Sequence, residues 1–339
     1  MPISYRKSGV NIEAGEQAVK AIKQKVKTTY NKNVLSELGS FGGLYQIDLS
    51  QWKKPILVSS TDGVGTKLRL AIQAGRFDTV GQDLVNHCVN DILVQGAIPQ
   101  FFLDYIGVGK LEPKQIEQII SGFVKACKEN GCALIGGEMA EMPGFYAKGD
   151  FDLAGTIIGM VEKEKLITGQ KIKTGDTLIG LSSNGLHTNG YSLARSVLEK
   201  NKLTVGSYIG ELDCTVADAF LAVHKSYLKV IEPMLEKDLI HGMAHITGGG
   251  IPGNLSRIIP DGLCAIVDEK SWEVPAIFQW LKVLGKVPHT EMQKVFNLGL
   301  GMILVVAEKD ASKVLKQTCG IIIGKIEKSK VGNLAKVLY

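Results

Sequence analysis

Five glycine clusters punctuate this chain, and any fold it adopts must be built around them: Gly39, Gly42 and Gly43; Gly63 and Gly65; Gly136 and Gly137; Gly185 and Gly190; and Gly248, Gly249 and Gly250. An ordered glycine costs roughly 0.5–1 kcal/mol relative to alanine, so such clusters mark turns that need positive φ or backbone that a ligand must approach. The 39 glycines among 339 residues exceed the ordinary level of roughly 7%, and the excess is gathered in these loops. Five glycine loops in one chain point to a site that handles phosphate.

A chain of 339 residues is longer than a single hydrophobic core usually supports, which predicts two domains. Hydrophobic periodicity predicts strands at 56–60, 101–108, 133–135, 151–161 and 177–181, with helices at 15–29, 66–73, 79–95 and 113–130. Beyond these, helices are expected at 191–199, 216–235, 251–259, 274–284 and 311–317, and strands at 265–267, 301–306 and 320–326. The charged stretch 162–173 and the turn Lys173-Thr174-Gly175-Asp176 put a boundary near residue 170, giving domains 1–170 and 171–339. Both halves mix strands and helices, so the expected class is α/β, in two related mixed domains.

With 45% hydrophobic and 22% charged residues the composition is that of a soluble globular protein, and the longest apolar run, 298–307, is half the length of a membrane span. The N-terminal residues lack a secretory pattern, so a cytoplasmic location is expected. Six scattered cysteines read as reduced and structural, without the paired spacing of a zinc site. A net charge of +5 leaves neither half a basic domain. The lysines at 20, 23, 25 and 27 suit anionic small molecules or a solvated helix face, with no nucleic-acid motif beside them.

Ser59-Ser60-Thr61-Asp62-Gly63-Val64-Gly65-Thr66-Lys67 reads as a strand emptying through a glycine turn into a helix. Free N–H groups and Lys67 would attract an anion, and Asp62 suits a hard divalent ion, although the spacing is that of neither the P-loop nor the dinucleotide fingerprint. An ordinary strand-to-helix turn has the same pattern. On the following helix, Asp83, His87, Asn90 and Asp91 share one stripe, which faces either water or a metal–phosphate site. Glu138 and Glu141 follow Gly136-Gly137 and could bind metal, act as a base, or sit in a surface loop. His187 and His245 lie in glycine-rich loops and are preferred as catalytic candidates over His224, which is expected inside helix 216–235. Thr247, Gly248, Gly249 and Gly250 precede Pro252 and read as a helix-start cradle for a phosphate.

Taken in order, Tyr5-Arg6-Lys7-Ser8-Gly9-Val10-Asn11-Ile12-Glu13-Ala14-Gly15, Thr61-Asp62-Gly63-Val64-Gly65-Thr66-Lys67-Leu68, Val89-Asn90-Asp91, Phe102-Leu103-Asp104-Tyr105, the stretch 136–144, Asn189-Gly190-Tyr191-Ser192, the stretch 247–250 and Phe296-Asn297-Leu298-Gly299-Leu300-Gly301-Met302 resemble the aminoimidazole ribonucleotide synthetase (phosphoribosylformylglycinamidine cyclo-ligase) family end to end. The sequence departs at Met139, Asn184 and Thr188, where threonine, glycine and serine are usual. The resemblance implies N-terminal domains that pair across a homodimer, joining their sheets into a barrel. It also implies a reaction: ATP and formylglycinamidine ribonucleotide give aminoimidazole ribonucleotide, ADP and phosphate.

The same resemblance implies roles. Asp62 and Asp91, helped by Asn90, would hold Mg2+ and the triphosphate. Lys23, Gly42 and Gly43 would contact ATP, and Gly63, Gly65, Thr66 and Lys67 would complete the phosphate cradle. His187 would transfer a proton or stabilise the phosphoryl group, alongside Asp62, Lys67 and Glu138. Glu138, Asn189, His245, Thr247, Gly248, Gly249 and Gly250 would hold the phosphorylated substrate. The implied partners are a second copy of the chain, ATP and that substrate, with no nucleic acid and no membrane. Selenophosphate synthetase and thiamine monophosphate kinase activities, and a non-catalytic nucleotide-sensing dimer, are the competing readings.

Overall fold

The computed structural model describes residues 8–329 and 336–339; Tyr5, Arg6 and Lys7 of the N-terminal signature lie outside them. The first half comprises α1 (Ile12–Lys27), β1 (Pro55–Gly63), α2 (Lys67–Ala74), α3 (Asp78–Leu93), β2 (Ile98–Val108), α4 (Pro113–Glu129), β3 (Ala133–Glu141) and β4 (Phe151–Glu162). Its four strands lie in the order β1-β4-β2-β3, with β2 and β3 parallel and the other pairs antiparallel. Strand alternation makes one face apolar: Phe151, Leu153, Ile157 and Val161 of β4 are buried on the side where α3 packs, and Asp152 and Thr156 point the other way. Asn11 caps α1 by accepting from the Ala14 N–H, and the stripe Ala18, Ile22 and Val26 packs inward, with α1 lying against α4.

The second half comprises β5 (Thr177–Ser182), α5 (Tyr191–Lys200), β6 (Tyr208–Ile209), β7 (Cys214–Thr215), α6 (Val216–Phe220), α7 (Leu228–Leu235), β8 (Ile240–His245), α8 (Gly250–Leu255), β9 (Leu263–Val267), α9 (Ala276–Gly285), α10 (His289–Val295), β10 (Leu300–Val306), α11 (Glu308–Thr318), β11 (Ile321–Lys328) and β12 (Val337–Leu338). Six strands form one sheet in the order β12-β9-β11-β5-β10-β8, while β6 and β7 pair separately. The fold is mixed α/β with one main sheet in each half. No helix among the described residues is long and apolar enough to cross a membrane, and all six cysteines are free.

Between the halves lies α3. All its residues from Thr79 to Asn90 are buried, as are Ile92 and Leu93, and one continuous apolar core runs through both halves around it. Burying Leu84, Val85, Val89, Ile92 and Leu93 contributes on the order of 10 kcal/mol before the cost of ordering the chain. Its polar stripe faces neither open water nor only a ligand, because it grips the backbone of the second half. Asp83 Oδ1 accepts the His224 N–H at 2.7 Å, and Asn86 Nδ2 donates to the His224 carbonyl at 2.7 Å. Asn90 Nδ2 donates to the Lys225 carbonyl at 2.9 Å, and Asn90 Oδ1 accepts the Tyr227 N–H at 3.0 Å.

These bonds correct the expected helix 216–235. The chain between Phe220 and Leu228 leaves the helix because its N–H and C=O groups are satisfied by α3 side chains, so His224 sits in a non-helical connection. The short strand expected at 133–135 runs on through its two glycines to Glu141. Gly137 belongs there for close approach: a Cβ on it would lie 1.5 Å from Asp104 Oδ1. Strand β8 and helix α10 were not expected from periodicity.

Candidate active site

The elbow between β1 and α2 is built as a strand, a turn with Gly65 at φ 68°, and a helix beginning at Lys67. At the strand end Asp62 Oδ1 accepts the Gly63 N–H at 2.7 Å, and Asp62 Oδ2 meets His87 Nε2 at 2.8 Å. One turn along α3 from His87, Asp91 Oδ2 accepts from Ser60 Oγ at 3.0 Å and lies 3.8 Å from the same imidazole nitrogen. Burial pushes both carboxyls up, but His87 and the Gly63 amide at Asp62, and His245 at Asp91, outweigh it and hold each below the usual range.

A single hydrogen-bonded chain joins these two carboxylates through both halves of the protein. From Asp62 it runs to His87 Nε2, then from His87 Nδ1 to Thr188 Oγ1 at 2.8 Å and from Thr188 Oγ1 to His224 Nδ1 at 3.2 Å. It continues from His224 Nε2 to His245 Nε2 at 3.0 Å and from His245 Nδ1 to Asp91 Oδ1 at 2.8 Å. Five contacts require five protons. Three neutral imidazoles and one hydroxyl supply four, so with both carboxylates ionised the chain holds one extra proton. On His87 that proton satisfies every contact, with donors running from Thr188 towards Asp91. On His245 the direction reverses, with His224 Nε2 accepting from His245 Nε2. Burial opposes a charge on His87, but Asp62 and Asp91 overcome it and raise its pKa, whereas burial pushes His224 well down and His245 down.

His187 stacks on His224 with ring centroids 4.0 Å apart and planes 22° from parallel. It occupies the left-handed region at φ 60°, a strained position for a residue with a Cβ. Its Nε2 accepts the Asn184 N–H at 3.0 Å, which leaves the proton on Nδ1, a buried atom without a partner among the described residues. Burial, then the neighbouring His245 and Lys67, push its pKa well down, so His187 is neutral. His187, His224 and His245 bring ring nitrogens within 4.8 Å of one another. Near-parallel stacking nevertheless keeps the lone pairs of His187 and His224 from converging on one ion.

Two expected phosphate contacts are spent elsewhere. Lys67 is fully buried, its ammonium 2.8 Å from Asp83 Oδ2 and donating to the carbonyls of His187 at 3.1 Å and Ala222 at 2.7 Å. Its hydrogen bonds thus go to two protein carbonyls, and its charge is met by Asp83 as an ion pair. Asn90 is likewise fully buried, with its amide used on residues 225 and 227. Of the paired acids, Glu141 accepts the N–H groups of Asn11 and Leu111, which makes it a structural tie, while Glu138 stays exposed.

The remaining candidates fall into two groups. Asn189 lies over the 247–250 loop, its Oδ1 3.3 Å from where a Cβ on Gly248 would sit. Gly250 must be glycine: it has φ 61°, and a Cβ would meet the Gln293 carbonyl at 1.8 Å. Asn254 Nδ2 donates to the carbonyls of Thr247, Gly248 and Gly250 and fixes that loop. On the other side, a cavity of about 320 Å³ opens between α1 and β3, lined by Val19, Ile22, Gly39, Asp104, Gly137 and Glu138. Gly43 borders the same strand, and a Cβ on it would meet Ile135 at 2.8 Å, whereas Gly42 has open space around it. Lys23 and Lys27 both pair with Glu37, at 2.7 and 2.9 Å, and pull its carboxyl down to about 2. Lys25 pairs with Glu117.

His224, Thr188 and Asp104 had no assigned role in the sequence reading. Asp104 shares a cross-sheet row with Asp62, through Asp62–Gly155 and Asp104–Gly155, and burial pushes its carboxyl up to about 7. No local signal could have paired His224 with His245 or Thr188 with His87, since these contacts span up to 101 residues.

Residues 47–161 match the family model described as AIR synthase related protein, N-terminal domain, and residues 173–336 match its C-terminal domain. The chain is 51% identical over 316 residues to a phosphoribosylformylglycinamidine cyclo-ligase of Thermodesulfovibrio yellowstonii, covering 93% of this chain and 92% of that one. It is 48% identical over 336 residues to the enzyme of the same name from Geotalea daltonii, covering 97% of each. Among solved structures, thiamine-monophosphate kinase from Stenotrophomonas maltophilia superposes with a TM-score of 0.70 at 14% identity, over 94% of this chain and 95% of that one. The hydrogenase maturation protein HypE in complex with ATP gives 0.68 at 17% identity, over 94% and 89%. At these identities the two structures are relatives in fold.

Proposed function

The chain belongs to the AIR synthase related protein family and carries both of its domains, and from that premise we propose how its residues perform an ATP-dependent cyclo-ligase reaction. The substrate is formylglycinamidine ribonucleotide and the products are aminoimidazole ribonucleotide, ADP and phosphate, in keeping with the activity named for relatives at about half identity over nearly the whole chain. The observation that carries the site assignment is the five-contact chain linking Asp62 to Asp91 through His87, Thr188, His224 and His245.

An amide-type oxygen is a poor leaving group. Transfer of the γ-phosphoryl group of ATP to the formyl oxygen makes that oxygen leave as phosphate when the internal nitrogen attacks the formyl carbon and closes the ring. Such transfer depends on alignment and charge neutralisation more than on a covalent enzyme intermediate. Asp62 and Asp91 fit a hard divalent ion: they are oxygen donors on adjacent elements, with side chains 41% and 27% exposed. Bound there, Mg2+ would neutralise the triphosphate charge. His87 and His245 hold the two carboxylates in place, and the relay between them has two positions for its extra proton, which suits it to accept the proton that the attacking nitrogen loses at one end while releasing its own proton at the other. Neutral His187 stacks on His224 and holds the middle ring of the relay in place.

The cavity beside α1, together with Lys23, Gly42 and Gly43, is assigned to the nucleotide, and Glu138 to its boundary with the substrate. Asn189 and the loop Thr247, Gly248, Gly249 and Gly250 are assigned to the substrate phosphate. We take 1–170 and 171–339 as the functional domains. The uncovered face of the first sheet, where Leu57 is 59% exposed, is assigned to a homodimer in which two such sheets close into a barrel. Substrate carrying 18O in the formyl group tests the chemistry: the label is expected in inorganic phosphate, and its release as water would sink the oxygen-phosphorylation route.

A further inference from the structure

Lys67 stands at the first position of α2, where a glycine-rich elbow would be expected to offer a charge to phosphate, yet its ammonium has no exposure at all. It donates hydrogen bonds to the His187 carbonyl at 3.1 Å and the Ala222 carbonyl at 2.7 Å, forms an ion pair with Asp83 Oδ2 at 2.8 Å, and lies 5.6 Å from the centre of the Tyr191 ring. Asp83 in turn accepts the His224 N–H at 2.7 Å. Two side chains of the first half thereby hold three backbone groups of the second, at the two connections that carry His187 and His224. The held residue His187 is the one in strained backbone at φ 60°, a conformation that persists only where its surroundings over-determine it.

We propose that the Lys67–Asp83 pair is an interdomain clasp that positions His187 and His224, and that Lys67 acts on the reaction through these histidines and makes no contact with phosphate. This rests on the reading of the histidine relay as part of the reaction site. Burial is costly for both ions: it pushes the Lys67 ammonium down and the Asp83 carboxyl up, each opposed by the other's charge. Deleting one partner alone leaves an uncompensated buried charge, whereas removing both together is far better tolerated. The pair can therefore be dissected without necessarily losing the fold.

The test compares Lys67→Met with the double variant Lys67→Met/Asp83→Asn in the full chain. The double variant is expected to fold, to bind ATP with a dissociation constant within about twofold of the parent, and to lose roughly 100-fold in kcat, the scale of a misplacement near 1 Å. Amide hydrogen exchange at residues 187–189 and 222–224 is expected to accelerate at least tenfold while β1 and β4 keep their protection. A fall in ATP affinity that tracks the fall in kcat would make Lys67 a phosphate ligand and overturn the proposal. So would unchanged exchange in the two connections, or failure of both variants to fold, which would assign the pair to folding alone. Because the exchange readout needs no turnover, a parent protein inactive on formylglycinamidine ribonucleotide would sink the functional reading and leave the clasp to be judged by exchange.

Discussion

Replacing Asn90 with leucine separates a docking role for the α3 stripe from a ligand role. Leucine is close in volume and suits a helix, so the main loss is the amide. In the native protein that amide satisfies the Lys225 carbonyl at 2.9 Å and the Tyr227 N–H at 3.0 Å, both in the non-helical connection. Each backbone group left buried without a partner costs about 1–3 kcal/mol, so Asn90→Leu is expected to cost about 2–6 kcal/mol. That is a large share of the roughly 5–15 kcal/mol typical of a folded domain. Urea unfolding followed by tryptophan fluorescence measures it; Trp280 packs edge-on against Phe220 at the start of the affected connection. Titration calorimetry with Mg-ATP on the folded variant completes the assay, with affinity expected to be retained because the amide is enclosed. An unchanged unfolding midpoint together with lost ATP affinity would refute the reasoning and return Asn90 to the phosphate site.

Three further outcomes are expected. Asp62→Asn should lower kcat by roughly 100-fold and raise the Mg2+ concentration needed for half-maximal turnover, a pattern opposite to that of a purely structural residue. His224→Ala should reduce turnover at least as far as His187→Ala, since it breaks the relay in its middle, and steady-state kinetics showing native turnover would remove the relay from the chemistry. His187 and His224 have folded pKa values well below 6.5, so the unfolded chain binds protons that the folded one does not. Their contribution is complete above about pH 6.5 and is lost as pH falls below it, at about 1.4 kcal/mol per pH unit for each histidine. Between pH 6.5 and 5.5 the unfolding free energy of His187→Gln should fall by about 1 kcal/mol less than that of the parent, and identical falls would contradict the assignment of a neutral His187.

Much of the architecture was legible because its causes are local. The apolar run before Asp62, the glycine turn and the start of α2 follow from adjacent residues, and α4 begins at Pro113 as first-turn prolines do. Where the reading failed, distant residues decided. Val216, Phe220, Ile231 and Met234 keep a helical spacing and are buried as a helix face would be, yet Asp83, Asn86 and Asn90 hold the intervening backbone out of the helix. Gly136-Gly137 resembles a turn, and only Asp104 packing over Gly137 explains why it is strand.

The site divides in the same way. Asp62, Asp91, His187 and His245 could be picked out by residue type and loop context, but their connection through Thr188 and His224 depends on how the halves dock. Lys67 illustrates the limit most sharply. Its local context suggests a phosphate ligand, while the residue that claims its charge, Asp83, is on the next helix and carries no signal at the elbow itself.

The central claim is tested most directly by ADP release from the purified protein with Mg-ATP and, separately, formylglycinamidine ribonucleotide, selenide and thiamine monophosphate. ADP and aminoimidazole ribonucleotide should appear in equal amounts with the first and ADP should stay at background with the others. ADP release with selenide or thiamine monophosphate, and none with formylglycinamidine ribonucleotide, would contradict the account.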